Sequence, residues 1–345
     1  MSDNYDAIIV VSFGGPEGPD EVMPFLENVL RGRNVPRDRM LEVAKHYQSF
    51  GGVSPINQQN RDLIAALKEE LAANNIDLPV YFGNRNWHPL LPKTLETMKA
   101  DGVTKALALF TSAFSSYSGC RQYRENVIAA REQVGEGAPE IDKLRMFYNH
   151  PGFLEPIAAD ISNSLAKIPS DRIGSTKLIF TAHSIPLSMA NGCSYVDQLT
   201  EATRLVAELA SHENYELVYQ SRSGPPTQPW LEPDVCDYIR EIHEQEKVTD
   251  VIVVPLGFIS DHMEVLFDLD TEAKETCEEL GMGFTRAMTI GTHPDFIAAI
   301  RELIEERIGR REEKRALGVH GPCHDVCPID CCTYDPPKRP ARPPH

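Results

Sequence analysis

The sequence predicts an α/β protein of two similar Rossmann-like halves, each a four-stranded parallel sheet flanked by helices, with a cleft between them. Three observations carry this. Short apolar runs alternate with longer segments of helical period along the 345 residues. Several runs are continuously apolar, such as Ala-Ile-Ile-Val-Val at 7–11 and Val-Ile-Val-Val-Pro at 251–255, as parallel strands covered on both faces require. The halves also echo each other: Ala-Ile-Ile-Val-Val-Ser-Phe-Gly-Gly-Pro opens the first, and Lys-Leu-Ile-Phe-Thr-Ala-His-Ser-Ile-Pro opens the second.

In chain order the expected strands are Asp6–Phe13, Leu78–Gly83, Lys105–Phe110, Leu144–Tyr148, Lys177–Thr181, Glu216–Gln220, Asp250–Pro255 and Gly283–Met288. Helical patterns fall at Asn60–Ala73, Gln122–Gln133, Tyr195–Ala210 and Asp270–Leu280, and a closing helix at Pro294–Lys314. The expected division is a first half over 1–160, a second over 161–318, and a Cys-rich extension over 319–345 that ends in a proline-rich, disordered tail. The first half carries roughly 30 more residues between its first two strands than the second, and long insertions are often functional. This one holds Gly14-Gly15-Pro16, Arg31-Gly32-Arg33 and Gly51-Gly52-Val53-Ser54-Pro55. The glycine pairs could bring backbone close to a flat ligand.

Composition narrows the function. With 34 Lys+Arg against 51 Asp+Glu, the net charge is −17, which argues against nucleic acid as the main partner. No run approaches the ~18 apolar residues of a membrane span. The first apolar run follows Asp3 and Asp6, unlike a signal peptide, so a cytoplasmic protein is expected. Four of the eight cysteines, Cys323, Cys327, Cys331 and Cys332, crowd into ten residues. In a reducing compartment such a group reads as metal-binding before disulfide-forming. An iron–sulfur cluster, zinc and free or redox-active thiols all stay open, the first favoured.

The chemistry gathers at strand ends. The fifth strand ends in Thr181-Ala182-His183-Ser184-Ile185-Pro186, where ligands of open α/β sheets sit. His183 there could bind a divalent metal or accept a proton, or merely cap the strand. After the seventh strand, Ser260 is a candidate N-cap, and Glu264, Asp268 and Glu272 then share one helical face at i, i+4, i+8. That row is either a solvated acidic face or a track that passes a hydrated cation or protons to a cleft. Arg31, Arg33, Arg37 and Arg39 in the insertion suit an anionic ligand. The run from Thr111 to Tyr123 is rich in hydroxyls and aromatics, as an amphiphilic aromatic ligand needs, although Phe114 and Tyr117 also suit a core.

Taken together, Ser12-Phe13-Gly14-Gly15-Pro16, Gly51-Gly52-Val53-Ser54-Pro55, Thr181–Pro186, Tyr219-Gln220-Ser221-Arg222-Ser223-Gly224-Pro225, Pro229-Trp230-Leu231 and Phe258–Glu264 resemble the ferrochelatases over about residues 5–310. The resemblance implies the class II chelatase fold, with a porphyrin between the halves and ferrous iron inserted into it during haem synthesis. It implies His183 and Glu264 as the catalytic metal-site pair, with Asp268 and Glu272 continuing an acidic path. It implies Ser54 and Tyr123 on the porphyrin's acidic side chains, and Arg31, Arg33, His46 and Tyr47 in the lip. Phe13 stands where some relatives place a tyrosine that ligates iron; a phenyl ring can only pack there.

The tail resembles the extension of relatives that carry a 2Fe–2S cluster. Cys120 is then the internal ligand and Cys327, Cys331 and Cys332 the tail ligands, with Cys323 as the spare. The polar run Ile56-Asn57-Gln58-Gln59-Asn60-Arg61 after the lip favours coproporphyrin III, with four propionates, over protoporphyrin IX. The Ser-Arg-Ser-Gly-Pro-Pro segment resembles the coproporphyrin branch as well. A transient contact with neighbouring haem-pathway enzymes is compatible with this reading. The competing readings are a cobalt or nickel chelatase, a non-catalytic haem or porphyrin carrier on the same fold, and a cluster-bearing redox sensor.

Overall fold

A computed structural model describes residues 5–31, 35–224 and 227–334. It contains two four-stranded sheets, parallel throughout. The first is formed by β1 (Ala7–Ser12), β2 (Val80–Asn84), β3 (Lys105–Phe110) and β4 (Glu140–Lys143), in the order β2-β1-β3-β4. The second is formed by β5 (Thr176–His183), β6 (Tyr215–Gln220), β7 (Asp250–Val254) and β8 (Gly283–Arg286), in the order β6-β5-β7-β8. The two orders are identical once each half is counted from its own first strand, as the sequence echo predicts. β1, β5 and β7 are buried almost throughout because helices cover both faces.

The insertion after β1 holds α1 (Val22–Val29), α2 (Arg37–Ser49) and α3 (Ile56–Ala73). The first half continues with α4 (Leu91–Ala100) and α5 (Gln122–Val134). Next comes α6 (Pro151–Leu165), a helix that contains residue 160, where the sequence divides the halves. The second half carries α7 (Leu187–Ala190), α8 (Tyr195–Leu209), α9 (Val235–Gln245), α10 (Met263–Phe267), α11 (Lys274–Leu280) and α12 (Pro294–Arg307). One apolar core runs through both halves, from Leu107, Phe114 and Phe153 to Phe180, Leu199 and Ile300. Arg301 Nε of α12 also donates to Glu70 Oε1 of α3 at 2.7 Å.

Three expected elements differ. The fourth strand lies at Glu140–Lys143, not Leu144–Tyr148. Leu144 makes the last ladder bond to Ala108 O at 2.9 Å, and the chain then leaves the sheet. The apolar run 144–148 is buried, but against the core beyond the sheet edge, so burial alone mimicked a strand. The last helix ends at Arg307 rather than Lys314. Gly309 turns the chain at φ 74°, and Arg311 and Arg315 return to Glu302. Finally, the expected helix Asp270–Leu280 is α-helical only from Lys274: π-helical turns occupy Asp268–Ala273 between α10 and α11.

Candidate active site

β5 carries His183 to its C-terminal end, and the loop after β7 carries Glu264 beside it. The loop reaches this position because Gly257 lets its backbone press on β5. An added Cβ there would lie 2.7 Å from Ala182 Cα. His183 Nε2 stands 3.6 Å from Glu264 Oε2. Nδ1 of His183 bonds the Ser184 carbonyl, and the buried Tyr195 hydroxyl donates to the His183 carbonyl at 3.0 Å. His262, not Ser260, caps α10; its Nδ1 accepts from Glu264 N at 3.2 Å and lies 3.9 Å from Oε2. This second imidazole was not among the expected site residues.

The electrostatics follow from that packing. Burial disfavours a charged His183, but the Glu264 carboxylate outweighs it and pushes the imidazole up to about 9. Burial likewise opposes an ionised Glu264, and His183 overcomes it, holding the carboxyl at about 2. The side chains keep 33% and 49% exposure towards the cleft, so water tempers both shifts. Asp268 behaves differently: burial and the charges of Glu264 and Glu272 push it up to about 7, against the hydrogen bonds of Ser221 and Gln220. Gln220 Nε2 donates to Asp268 Oδ2 and to the Glu264 carbonyl, each at 3.2 Å, and the Ser221 hydroxyl donates to the same Asp268 oxygen. Burial also raises Glu272, helped by Asp234 and Glu275. Glu264, Asp268 and Glu272 thus lie near enough for the outer two to act on Asp268, and π-helical turns rather than one α-helical face carry Asp268 and Glu272. Such turns recur at functional sites and have no pattern in a single sequence.

The insertion faces this pair. The His46 ring of α2 stacks on Phe267 of α10 at 3.9 Å between centroids. Burial raises the Tyr47 phenol, with the Glu264 charge adding to it, so Tyr47 lies within the field of the pair. Phe13 sits at the end of β1, 37% exposed, against Phe25 at 6.3 Å. Ser54 is buried: its N donates to Pro16 O at 2.8 Å, and its Cβ fills the space where Gly15 lacks a side chain. Gly52 meets Pro19 in the same way, so both glycine pairs include a residue that serves chain–chain contact. Tyr123 is buried against Phe110, with the Arg85 guanidinium 4.3 Å over its ring. Arg85, also 5.8 Å from the Phe13 ring, is a cation the sequence reading did not single out. Arg31 is exposed at the end of α1, Arg39 pairs with Glu42, and Arg33 lies outside the described residues.

The polar run after the lip is a rim only in part: Gln58 and Arg61 are exposed and Gln59 is half-buried. Asn57 and Asn60 are buried, donating to Gly15 O at 3.1 Å and Ser12 Oγ at 2.9 Å. Gln59 Oε1 accepts from Asp261 N at 2.8 Å, and Arg61 pairs with Glu17. Leu41, Phe50 and Val53 are instead the exposed apolar residues of the insertion.

A second group of side chains lies where the tail meets the body. Cys120 is buried in π-helical turns at Tyr117–Arg121, close enough to Cys327 for the two thiols to act on each other. Cys331 Sγ is 3.6 Å from Cys332 Sγ, an adjacent pair made convergent by a left-handed Cys332 at φ 55°. Donor atoms of His324, Cys327 and Cys331 lie within 4.8 Å of one another, so His324 joins the expected set. Cys323 is set apart, accepting from Gln198 Nε2 at 3.6 Å. Arg121 Nη1 fastens the tail by donating to the carbonyls of Ile329 and Cys331 at 2.8 and 3.1 Å.

The family model described as Ferrochelatase matches residues 5–308. A protein named ferrochelatase from Rhodopirellula baltica is 60% identical, over 97% of this chain and 95% of its own. A coproporphyrin III ferrochelatase from Streptomyces coelicolor is 49% identical over the same shares. The solved structure of SirB from Bacillus subtilis with Fe3+ superposes with a TM-score of 0.55 at 12% identity, covering 91% of this chain and 99% of that one, and so supports the fold alone.

Proposed function

This chain belongs to the ferrochelatase family and inserts ferrous iron into a porphyrin in haem biosynthesis; on that premise, we propose which residues perform the reaction and on which porphyrin. The reaction, a lyase chemistry read in reverse, removes two pyrrole protons and strips water from the incoming iron. The observation that carries the assignment is the pair His183 and Glu264, 3.6 Å apart and partly exposed, with His46 of α2 stacked on Phe267 of the same helix as Glu264. Glu264, ionised and flanked by His183 and His262, receives the cation. Asp268, poised at about 7, is the carboxyl able both to take and to release a proton at neutral pH. Glu272 extends the route outward. A bent macrocycle would point its nitrogen lone pairs at this pair.

Phe13, His46 and Tyr47 supply contact to the ring face, and Ser54, Tyr123, Arg31 and Arg33 serve the propionates. Arg85 joins them, because its guanidinium lies beside both Phe13 and Tyr123. The substrate we favour is coproporphyrin III. The name of the Streptomyces coelicolor relative and the cations Arg31 and Arg85 support it. Protoporphyrin IX is the second reading, favoured by the exposed Leu41, Phe50 and Val53.

The tail suits a 2Fe–2S cluster on Cys120, Cys327, Cys331 and Cys332. Soft thiols from distant parts of the chain come together there: Cys120 neighbours Cys327, and Cys331 Sγ is 3.6 Å from Cys332 Sγ. Such a cluster, when bound, holds one electron reversibly and ties the tail to the body. No helix among the described residues is long and apolar enough to cross a membrane. All eight cysteines are unpaired with one another, which fits a reducing cytoplasm.

The assignment is tested with His183→Ala, assayed anaerobically. Iron insertion should vanish while porphyrin still binds by fluorescence quenching. Loss of porphyrin binding from folded protein, or retained insertion, would refute the assigned role.

A further inference from the structure

The tail thiols sit in an unusual electrostatic setting for a chain of net charge −17. Lys143, the last residue of β4, is 92% buried. Its ammonium makes a single hydrogen bond, a long one of 3.5 Å to the Leu144 carbonyl, and no ion pair among the described residues. A buried ammonium without an anion is strongly disfavoured, so such a lysine needs a partner. The charge of Lys143 acts on Cys120, Cys323 and Cys327. Arg124, one turn beyond Cys120, shows the same feature. Its Nη1 is enclosed with no hydrogen-bond partner, and its charge acts on Cys327 and Cys331. Arg145 adds a second enclosed and unpartnered nitrogen, Nη1, and its charge acts on Cys323.

The neighbouring Arg121 is a useful contrast, because it is matched by Glu125 at 2.9 Å. Lys143 and Arg124 have no such carboxylate among the described residues. Thiols as such are neutral and would not hold two cations, whereas thiolates bound to a metal group would.

We propose that Lys143 and Arg124 are the built-in counter-cations of the anionic metal–thiolate group that the tail holds with Cys120. This rests on the cluster reading above and goes beyond it, since neither residue is a ligand. Four thiolates and a 2Fe–2S core carry net negative charge, and reduction adds one more. Cations fixed nearby favour the reduced form and raise the potential. Lys143 acts through the cluster and is a positioning and charge-setting residue.

The test uses the full chain, reconstituted anaerobically with ferrous iron and sulfide. Iron and acid-labile sulfide are counted, and the midpoint potential is read by electron paramagnetic resonance during dithionite titration. Lys143→Met and Arg124→Met should keep the wild-type stoichiometry, and each should shift the potential negative, with the double variant shifted further. Lys143→Arg should return to the wild-type potential. Loaded variants with unchanged potentials overturn this inference and leave the cluster reading standing. Wild-type protein that retains neither iron nor sulfide overturns both. Should Lys143→Met lose the cluster outright, Lys143→Arg decides: retention supports a role for charge, and loss assigns Lys143 to packing and overturns the inference.

Discussion

Removing the Arg145 guanidinium should be among the most damaging single changes outside the active site. Arg145 and Glu306 are buried as a pair, at 0% and 1% side-chain exposure, and joined by two parallel hydrogen bonds of 2.8 and 2.9 Å. Arg145 Nη2 also donates to the Arg315 carbonyl at 2.9 Å, at the start of the path to the tail cysteines. Arg145→Met leaves the Glu306 carboxylate charged in a dry interior. Breaking one side of a buried pair costs about 3–5 kcal/mol. The orphaned carbonyl adds roughly 1 kcal/mol. The double variant Arg145→Met/Glu306→Leu removes both charges, and should recover most of the loss, since an apolar replacement of a buried pair is often neutral. Urea unfolding followed by circular dichroism reads the change as a midpoint shift at unchanged slope. A single variant within about 1 kcal/mol of wild type, or a double variant no better than the single, would refute the reasoning.

Two further predictions concern acid stability and the geometry of the site. His150 is fully buried and is pushed down to about 3, by burial first and then by Arg145, Arg315 and Arg311. Glu302 Oε2 lies 3.3 Å from its Nε2, but that carboxylate is engaged by Arg311 and Arg315, so the imidazole stays neutral. With the folded value below the ordinary 6.5, the unfolded chain binds the proton first. Stability is complete above 6.5 and declines towards 3, with about 2 kcal/mol lost by pH 5. His150→Asn, which can still accept from Gly152 N, should flatten that dependence in denaturation measured from pH 7 to 5; an unchanged slope would exclude His150 as its source. Gly257→Ala places a Cβ 2.7 Å from Ala182 Cα, which must move the β7 exit loop away from β5. A stability loss of about 1–3 kcal/mol is expected. A kcat reduced about 10- to 100-fold should accompany it, because His183 and Glu264 part. Wild-type kcat in this variant would show that the close approach does not set the site.

Much of this was legible in the sequence, for identifiable reasons. Seven strands lie close to their expected positions; for β1, β3, β5 and β7 the signal is the unbroken apolar stretch that a parallel strand covered on both faces needs. The fourth did not: Glu140–Lys143 is a partly exposed edge strand of polar composition, and the apolar run after it is core without a ladder. His183, Glu264 and Asp268 could be found because a strand end and an i, i+4 spacing point to them. His262 could not, since a histidine one residue before a helix has no periodic signature. Nor could the direction of each residue in 56–61, where Gln58 and Arg61 face solvent but Asn57 and Asn60 satisfy buried backbone and hydroxyl groups. Arg85 was hidden because its role depends on Tyr123 and Phe13, distant in sequence.

The chain inserts ferrous iron into a porphyrin, and coproporphyrin III is the substrate proposed for it. The most direct test offers coproporphyrin III and protoporphyrin IX side by side to the purified protein, with ferrous iron under anaerobic conditions, and follows the metalloporphyrin spectra. Insertion into both with a clear kcat/KM preference for coproporphyrin III is the expected result. A preference for protoporphyrin IX would overturn the substrate assignment and turn attention to Leu41, Phe50 and Val53. Folded protein that binds both porphyrins and metallates neither would contradict the account itself.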